Sequence, residues 1–223
     1  ALAGRVTFDP HPAQILAPRY SPPLLMSAER RALAMGNLGL DFVLMQEFDE
    51  SFARLSAAEF SKELLADHLA TQAVVVGDDF TFGRDREGLT GDLVDHGRQF
   101  GFCVEVVRRM TVEGMIVSST RIRSFLLQGN VKGAGLLLGR QYVVAGEVVS
   151  GAGRGRHLGY PTVNLKPGGQ ILPARGVYLS HFWPPGCTEA MAAVTNVGLC
   201  PTFGPGELGV EVHVLDQRLD ELC

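Results

Sequence analysis

The sequence predicts an α/β domain with a mostly parallel sheet, followed by a small antiparallel β-barrel. Two observations carry this reading. Up to about residue 138, short apolar runs alternate with stretches of helical apolar spacing, the pattern of βαβ units. Beyond residue 140 the pattern changes to strands separated by Gly/Pro-rich turns, with no long helix between them. The boundary is expected near Arg140, giving domains 1–140 and 141–223.

Taken in order, residues 5–8 read as a short buried strand, ended by Asp9-Pro-His-Pro12 because each proline removes a donor and restricts its predecessor. Residues 29–38 carry helical spacing with Gly39 as a stop, and 42–45 form the next strand. Ser56-Ala-Ala-Glu59 is a capping box, which predicts a helix through Leu69. A strand at 73–76, a helix at 89–100 and a strand at 103–107 complete the alternation. Residues 130–138 predict a helix ending in Gly139-Arg140, and 142–149, 176–182, 190–197 and 209–215 predict the strands of the second domain.

The 223 residues are 46% hydrophobic, enough for a sizeable core. A net charge of −4 gives no support to a nucleic-acid partner. Cys103, Cys187, Cys200 and Cys223 lie far apart with no C-x-x-C pair, so neither a zinc site nor a disulfide framework is suggested. No apolar run reaches membrane-spanning length and no secretory signal is visible, so a cytoplasmic setting is expected.

Three stretches could carry chemistry. Residues 151–165, GAGRGRHLGYPTVNL, bring glycines and arginines together and then place Thr162 and Asn164 two apart in an extended run. Glycines let backbone N–H groups approach an anion, arginines add charge, and two oxygens on one strand face suit a hard cation. The same glycines and arginines would also serve as a solvated turn. Residues 77–88, GDDFTFGRDREG, lie beyond a strand's carboxyl end, where open α/β sheets bind ligands, but also read as a polar turn whose aromatics close the core. Residues 117–123, VSSTRIR, put hydroxyls at a strand-to-helix junction, either as an N-cap or as a phosphate site at a helix N-terminus. In 211–216, EVHVLD, the alternation places Glu211 and His213 on one face of a half-buried strand.

Residues 146–165 resemble the riboflavin kinase signature of the bacterial bifunctional riboflavin kinase/FMN adenylyltransferases, the prokaryotic FAD synthetase family, in which the pattern G-x-V-x-x-G-x-x-R-G-x-x-x-G-[FY]-P-T-x-N-L opens a β-barrel. Residues 77–83 and 118–123 are similar to that family's G-x-D-F-x-F-G and S-S-T-x-[IV]-R motifs, 8–12 to its F-D-P-H-P segment and 196–204 to its N-x-G-x-x-P-T-F-G segment. The resemblance implies a Rossmann-like nucleotidyltransferase domain ahead of a riboflavin kinase barrel. It implies ATP-dependent phosphorylation of riboflavin to FMN and adenylylation of FMN to FAD, with Mg²⁺ as cofactor and ATP as co-substrate. Carried over by motif, Glu211 is the kinase base, Thr162 and Asn164 hold Mg²⁺, and Gly153, Arg154, Gly155 and Arg156 cradle ATP. By the same route Ser119, Thr120 and Arg123 contact ATP phosphates in the adenylyltransferase, and Asp79 and Phe80 lie by the flavin.

Family members carry an upstream G-x-F-D-G-x-H-x-G-H segment that this sequence does not contain, and a last strand and helix after the barrel. The sequence is therefore expected to be truncated at both ends, with adenylylation impaired. Two other readings predict different behaviour: a non-catalytic flavin- or nucleotide-binding fragment, and a monofunctional adenylyltransferase whose barrel binds a partner.

Overall fold

The computed structural model describes residues 2–150, 160–199 and 208–215. Its contacts divide the chain into two compact units, one of residues 1–22 and 28–116, the other of residues 23–27 and 117–223.

The first unit is built on parallel strand pairs. Strand β1 (Gly4–Asp9) ends at the expected prolines, and Pro12 then opens a short helix α1 (Pro12–Leu16), which the sequence reading did not anticipate. Proline suits this first helical position because its missing N–H would have no partner there, and His11 Nδ1 caps the turn by accepting from the Ala13 amide at 3.1 Å. Helix α2 (Ala28–Gly36) leads to β2 (Phe42–Glu47), which pairs with β1 in parallel, Val6 opposite Leu44. After a single turn, α3 (Glu50–Ala53), the expected capping box is present: Ser56 Oγ accepts from the Glu59 amide at 3.2 Å, and the Glu59 carboxylate accepts from the Ser56 amide at 2.7 Å. Helix α4 (Ala57–Glu59) continues as a wider π-helical segment, Phe60–His68, closed by the Leu69 amide on the Leu64 carbonyl.

Strand β3 (Ala73–Gly77) runs into the short pair β4 (Thr81–Phe82) and β5 (Gly88–Leu89). Helix α5 (Thr90–Phe100) returns the chain to β6 (Cys103–Val107), which pairs with β3 in parallel, Val74 opposite Val104. A hairpin of β7 (Thr111–Val112) and β8 (Met115–Ile116) turns through Glu113 and Gly114, both at positive φ, the geometry that two-residue hairpin turns require. The core joins both strand pairs to the helices: Phe60, Leu64, Leu65, Phe82, Phe102 and the fully buried Leu93, with Val6, Leu44, Val74 and Val104 packed against them.

The second unit starts with α6 (Ser119–Leu127) and α7 (Val131–Leu138), which pack on each other; Asn130 caps α7 through its side chain, and Gly139 ends it in the left-handed conformation. The strands β9 (Gly146–Val149), β10 (Val163–Pro167), β11 (Gly176–Phe182), β12 (Met191–Leu199) and β13 (Leu208–Val214) form one antiparallel sheet in the order β11-β12-β13-β10-β9. Parallel pairs in one unit and an antiparallel sheet in the other are the two architectures the sequence predicts.

One strand is shorter than expected. Residues 142–145 do not join β9, because the buried Gln170 side chain takes up their backbone groups: its Nε2 donates to the Val143 carbonyl at 2.5 Å, and its Oε1 accepts from the Ala145 amide at 3.2 Å. Tyr142 Oη adds donations to Ile171 O at 2.7 Å and Leu25 O at 3.1 Å. A side chain that satisfies backbone donors and acceptors replaces a ladder.

Candidate functional site

In the antiparallel unit, strand alternation sorts side chains onto two faces. Val163, Leu165, Val210, Val212, Val214, Ala193 and Val197 alternate with Asn164, Glu211, His213 and Asn196, and the first set is the apolar face, most of it in one core cluster. The second set lines up across strands. Glu211 on β13 is the ladder partner of Asn164 on β10 and of Asn196 on β12, so the three side chains form a row across three adjacent strands. Cross-strand neighbours lie about 4.5–5.5 Å apart at Cβ. Asn196 Nδ2 donates to Glu211 Oε2 at 3.4 Å, a long bond that leaves the carboxylate near the solvent-exposed amide. Asn164 is only 7% exposed, a buried polar side chain at the β10 end of this row.

Thr162 precedes β10 by one residue and Asn164 lies within it. A hydroxyl and an amide carbonyl are hard oxygen donors, the chemistry Mg²⁺ selects, and Mg²⁺ is usually held by few protein ligands together with substrate phosphates and waters. Among the described residues no cluster of three or more His, Cys, Asp or Glu could hold a metal, so a softer, all-protein metal cage has no counterpart there. The donor set fits Mg²⁺. The expected phosphate cradle, Gly153, Arg154, Gly155 and Arg156, lies outside the described residues, as does most of the 196–204 segment.

The expected adenylyltransferase residues sit on different supports. Asp79 and Phe80 follow β3 at its carboxyl end. Their loop is clamped to the start of α4: the Arg84 amide donates to the Leu55 carbonyl at 2.7 Å, and Glu87 Oε1 accepts from the Ala57 amide at 2.9 Å. Gly83 makes this approach possible, since at φ +75° a Cβ there would lie 2.6 Å from the Ala57 nitrogen. Phe80 stacks on the buried Phe82, centroids 5.5 Å apart and planes 14° from parallel, and packs against the core. Asp79 is exposed and meets Arg109, whose guanidinium reaches Asp78 at 3.1 Å and Asp79 at 3.5 Å.

Ser119 and Thr120 are the first residues of α6, and the cap is Ser118, whose Oγ accepts from the Arg121 amide at 3.2 Å. Arg123 donates from Nε to the Pro23 carbonyl at 2.8 Å, and partial burial pulls its guanidinium below its ordinary pKa. The helix opening thus presents Ser119 and Thr120, while Arg123 is held one turn further on.

Three further residues stand beside the expected ones. Arg109 is the second of an Arg108-Arg109 pair that carries no distinguishing spacing. Asn196 was quoted as the start of a motif but given no role. His213, which alternation places on the face of Glu211, brings its Nδ1 to 2.9 Å from the Pro161 carbonyl.

Comparison with known proteins finds two families in succession along the chain. A family model for FAD synthetase matches residues 2–121, and one for riboflavin kinase matches residues 138–222. A bifunctional riboflavin kinase/FMN adenylyltransferase of Pseudomonas fluorescens is 39% identical over 212 residues, spanning 95% of this chain and 67% of that protein. The protein of the same name from Escherichia coli K12 is 34% identical, spanning 96% and 68%. A solved structure from Streptococcus pneumoniae, named a macrolide-efflux protein, superposes with a TM-score of 0.82 at 32% identity, covering 96% of this chain and 69% of its own. Among the described residues no helix is long and apolar enough to cross a membrane. Two family models in tandem, relatives that align across both, and a parallel unit followed by an antiparallel one place this chain in the bifunctional riboflavin kinase/FMN adenylyltransferase family.

Proposed function

We propose that the antiparallel unit phosphorylates riboflavin to FMN, with Glu211 as the general base, and that the α/β part belongs to the FMN-to-FAD step. The observation that supports this reading best is the row Asn164–Glu211–Asn196, which presents one carboxylate between two amides on the face opposite the apolar core. In the reaction, Glu211 accepts the proton of the ribityl 5′-hydroxyl. The oxygen–γ-phosphorus bond forms, the bond from that phosphorus to the β–γ bridging oxygen breaks, and ADP leaves. Thr162 and Asn164 would hold Mg²⁺, which supplies neutralisation of phosphate charge. Gly153, Arg154, Gly155 and Arg156 would supply the phosphate-binding backbone and guanidinium groups.

For adenylylation, Ser119 and Thr120 at the opening of α6 and Arg123 one turn on would contact ATP phosphates, a use of free amides at a helix N-terminus. Asp79 and Phe80 would border the flavin, with the Phe80–Phe82 stack supplying an aromatic wall. In this reading the functional boundary falls near Arg140 and the setting is cytoplasmic.

The test is chromatography of flavins after incubation with riboflavin, ATP and Mg²⁺. The wild-type chain should form FMN, and Glu211→Gln should lose about 10²–10⁴-fold in rate while still binding flavin. Unchanged turnover in Glu211→Gln would remove it as the base.

A further inference from the structure

Strand β13 carries a second polar side chain on the same face as Glu211. His213 lies two residues on, and Val212 between them is 4% exposed and belongs to the core, so the strand cannot roll one residue without burying both. The His213 ring reaches back to the segment that enters β10. Its Nδ1 is 2.9 Å from the Pro161 carbonyl, and because a carbonyl only accepts, Nδ1 carries the proton. The Tyr160 ring meets the imidazole edge to face, centroids 5.5 Å apart and planes at 77°. Pro161 has no N–H to give to a ladder, so its carbonyl is the only backbone hydrogen-bonding group by which it can be tied. Thr162 follows at once, and the first β10–β13 ladder pair, Val163 with Val212, comes next.

We propose that His213 is a positioning residue for the cation ligands: its imidazole ties the Pro161 carbonyl to β13, which fixes the Thr162 hydroxyl relative to Asn164 and Glu211. The proposal rests on the phosphotransfer reading above. One strand then sets both halves of the chemistry, the base through Glu211 and the metal-binding segment through His213. Partners that orient metal ligands commonly change metal affinity by 10–100-fold when removed.

The experiment compares the full chain with His213→Phe and His213→Asn. Phenylalanine keeps a ring against Tyr160 and loses the donor; the asparagine amide nitrogen stands near the place of Nδ1 and keeps it. Two quantities are read: the Mg²⁺ concentration for half-maximal FMN formation, and Mn²⁺ binding in the presence of ADP by water-proton relaxation, which needs no turnover. His213→Phe should raise the half-maximal Mg²⁺ concentration about tenfold and weaken Mn²⁺ binding by about the same factor, with the riboflavin KM little changed, and His213→Asn should stay within about threefold of wild type. Unmoved metal values in His213→Phe, or equal losses in both variants, would overturn the tie.

Nitrogen NMR of the wild-type chain gives a reading independent of any variant's folding. The Nδ1–H tautomer is expected at His213, and the Nε2–H tautomer would overturn the proposal. Glu211→Gln, measured alongside, separates the two ideas. If it abolishes FMN formation while the His213 variants bind Mn²⁺ as wild type does, the tie fails and the phosphotransfer reading stands. If Glu211→Gln turns over normally, the reading and the tie fall together.

Discussion

In the α/β unit Asp79 and Phe80 stand where regular structure stops, whereas in the antiparallel unit Asn164, Glu211 and Asn196 stand inside it. Asp79 and Phe80 follow the last residue of β3, carried by a loop clamped to α4 through Arg84, Glu87 and Gly83. Asn164, Glu211 and Asn196 are strand residues whose alignment comes from ladder register. The two arrangements fail differently. A loop can shift its side chains while the sheet beneath it survives, whereas a strand site moves only if the register slips, and a one-residue slip would drive Glu211 into the place of Val210 or Val212. The antiparallel unit therefore protects its site with its own core, and the α/β unit protects its loop with a few specific contacts.

The largest effect that would test this comparison is on the α/β core. Leu93 is fully buried among Phe60, Leu64, Leu65 and Phe82, and Leu93→Ala should cost about 2–5 kcal/mol by urea denaturation. A loss under about 1 kcal/mol would mean that the surrounding helices collapse into the vacated space and that this core is less rigid than its packing suggests.

Next in size is a change at the strand site that leaves the core alone. Thr162→Val keeps the shape and removes the hydroxyl, and should raise the Mg²⁺ requirement for FMN formation about tenfold while the denaturation midpoint stays nearly constant. If the midpoint falls and the Mg²⁺ requirement does not, Thr162 is a structural residue and the cation assignment fails.

The smallest effect concerns Tyr142, which with Gln170 replaces the ladder at residues 142–145. Burial pushes the Tyr142 hydroxyl from 10.0 up to about 12, opposed by its hydrogen bond with Gln170 and by Arg123 and Arg140. Because the folded value is raised, this stabilisation is complete below pH 10 and is lost as pH rises through 10 towards 12. The urea midpoint of the wild-type chain should fall over that window more steeply than that of Tyr142→Phe; parallel profiles would show that the phenol is solvated.

Much of the fold was legible because its signals are local. The capping box at Ser56 and Glu59, the prolines after β1 and the Gly139 stop each act within a turn of chain, and each is present. The α1 helix escaped notice because Pro12 reads equally as a breaker and as a first helical residue, and only His11 accepting from the Ala13 amide decides which. Residues 142–145 were misread for a different reason. Their apolar, β-branched run suits a strand, but Gln170, far along the chain, supplies the competing hydrogen bonds.

The same divide runs through the candidate site. Period-two alternation by itself determined that Glu211 and His213 share a face, and the change of pattern along the chain determined that a parallel unit precedes an antiparallel one. Those properties depend on separations of a few residues along one chain segment. Only the tertiary structure decided that Asn164 and Asn196 flank Glu211, that His213 reaches Pro161, and that Arg109 meets Asp79. Such pairings depend on strand register and on contacts between residues tens of positions apart, and backbone hydrogen bonds set that register only once the strands have come together.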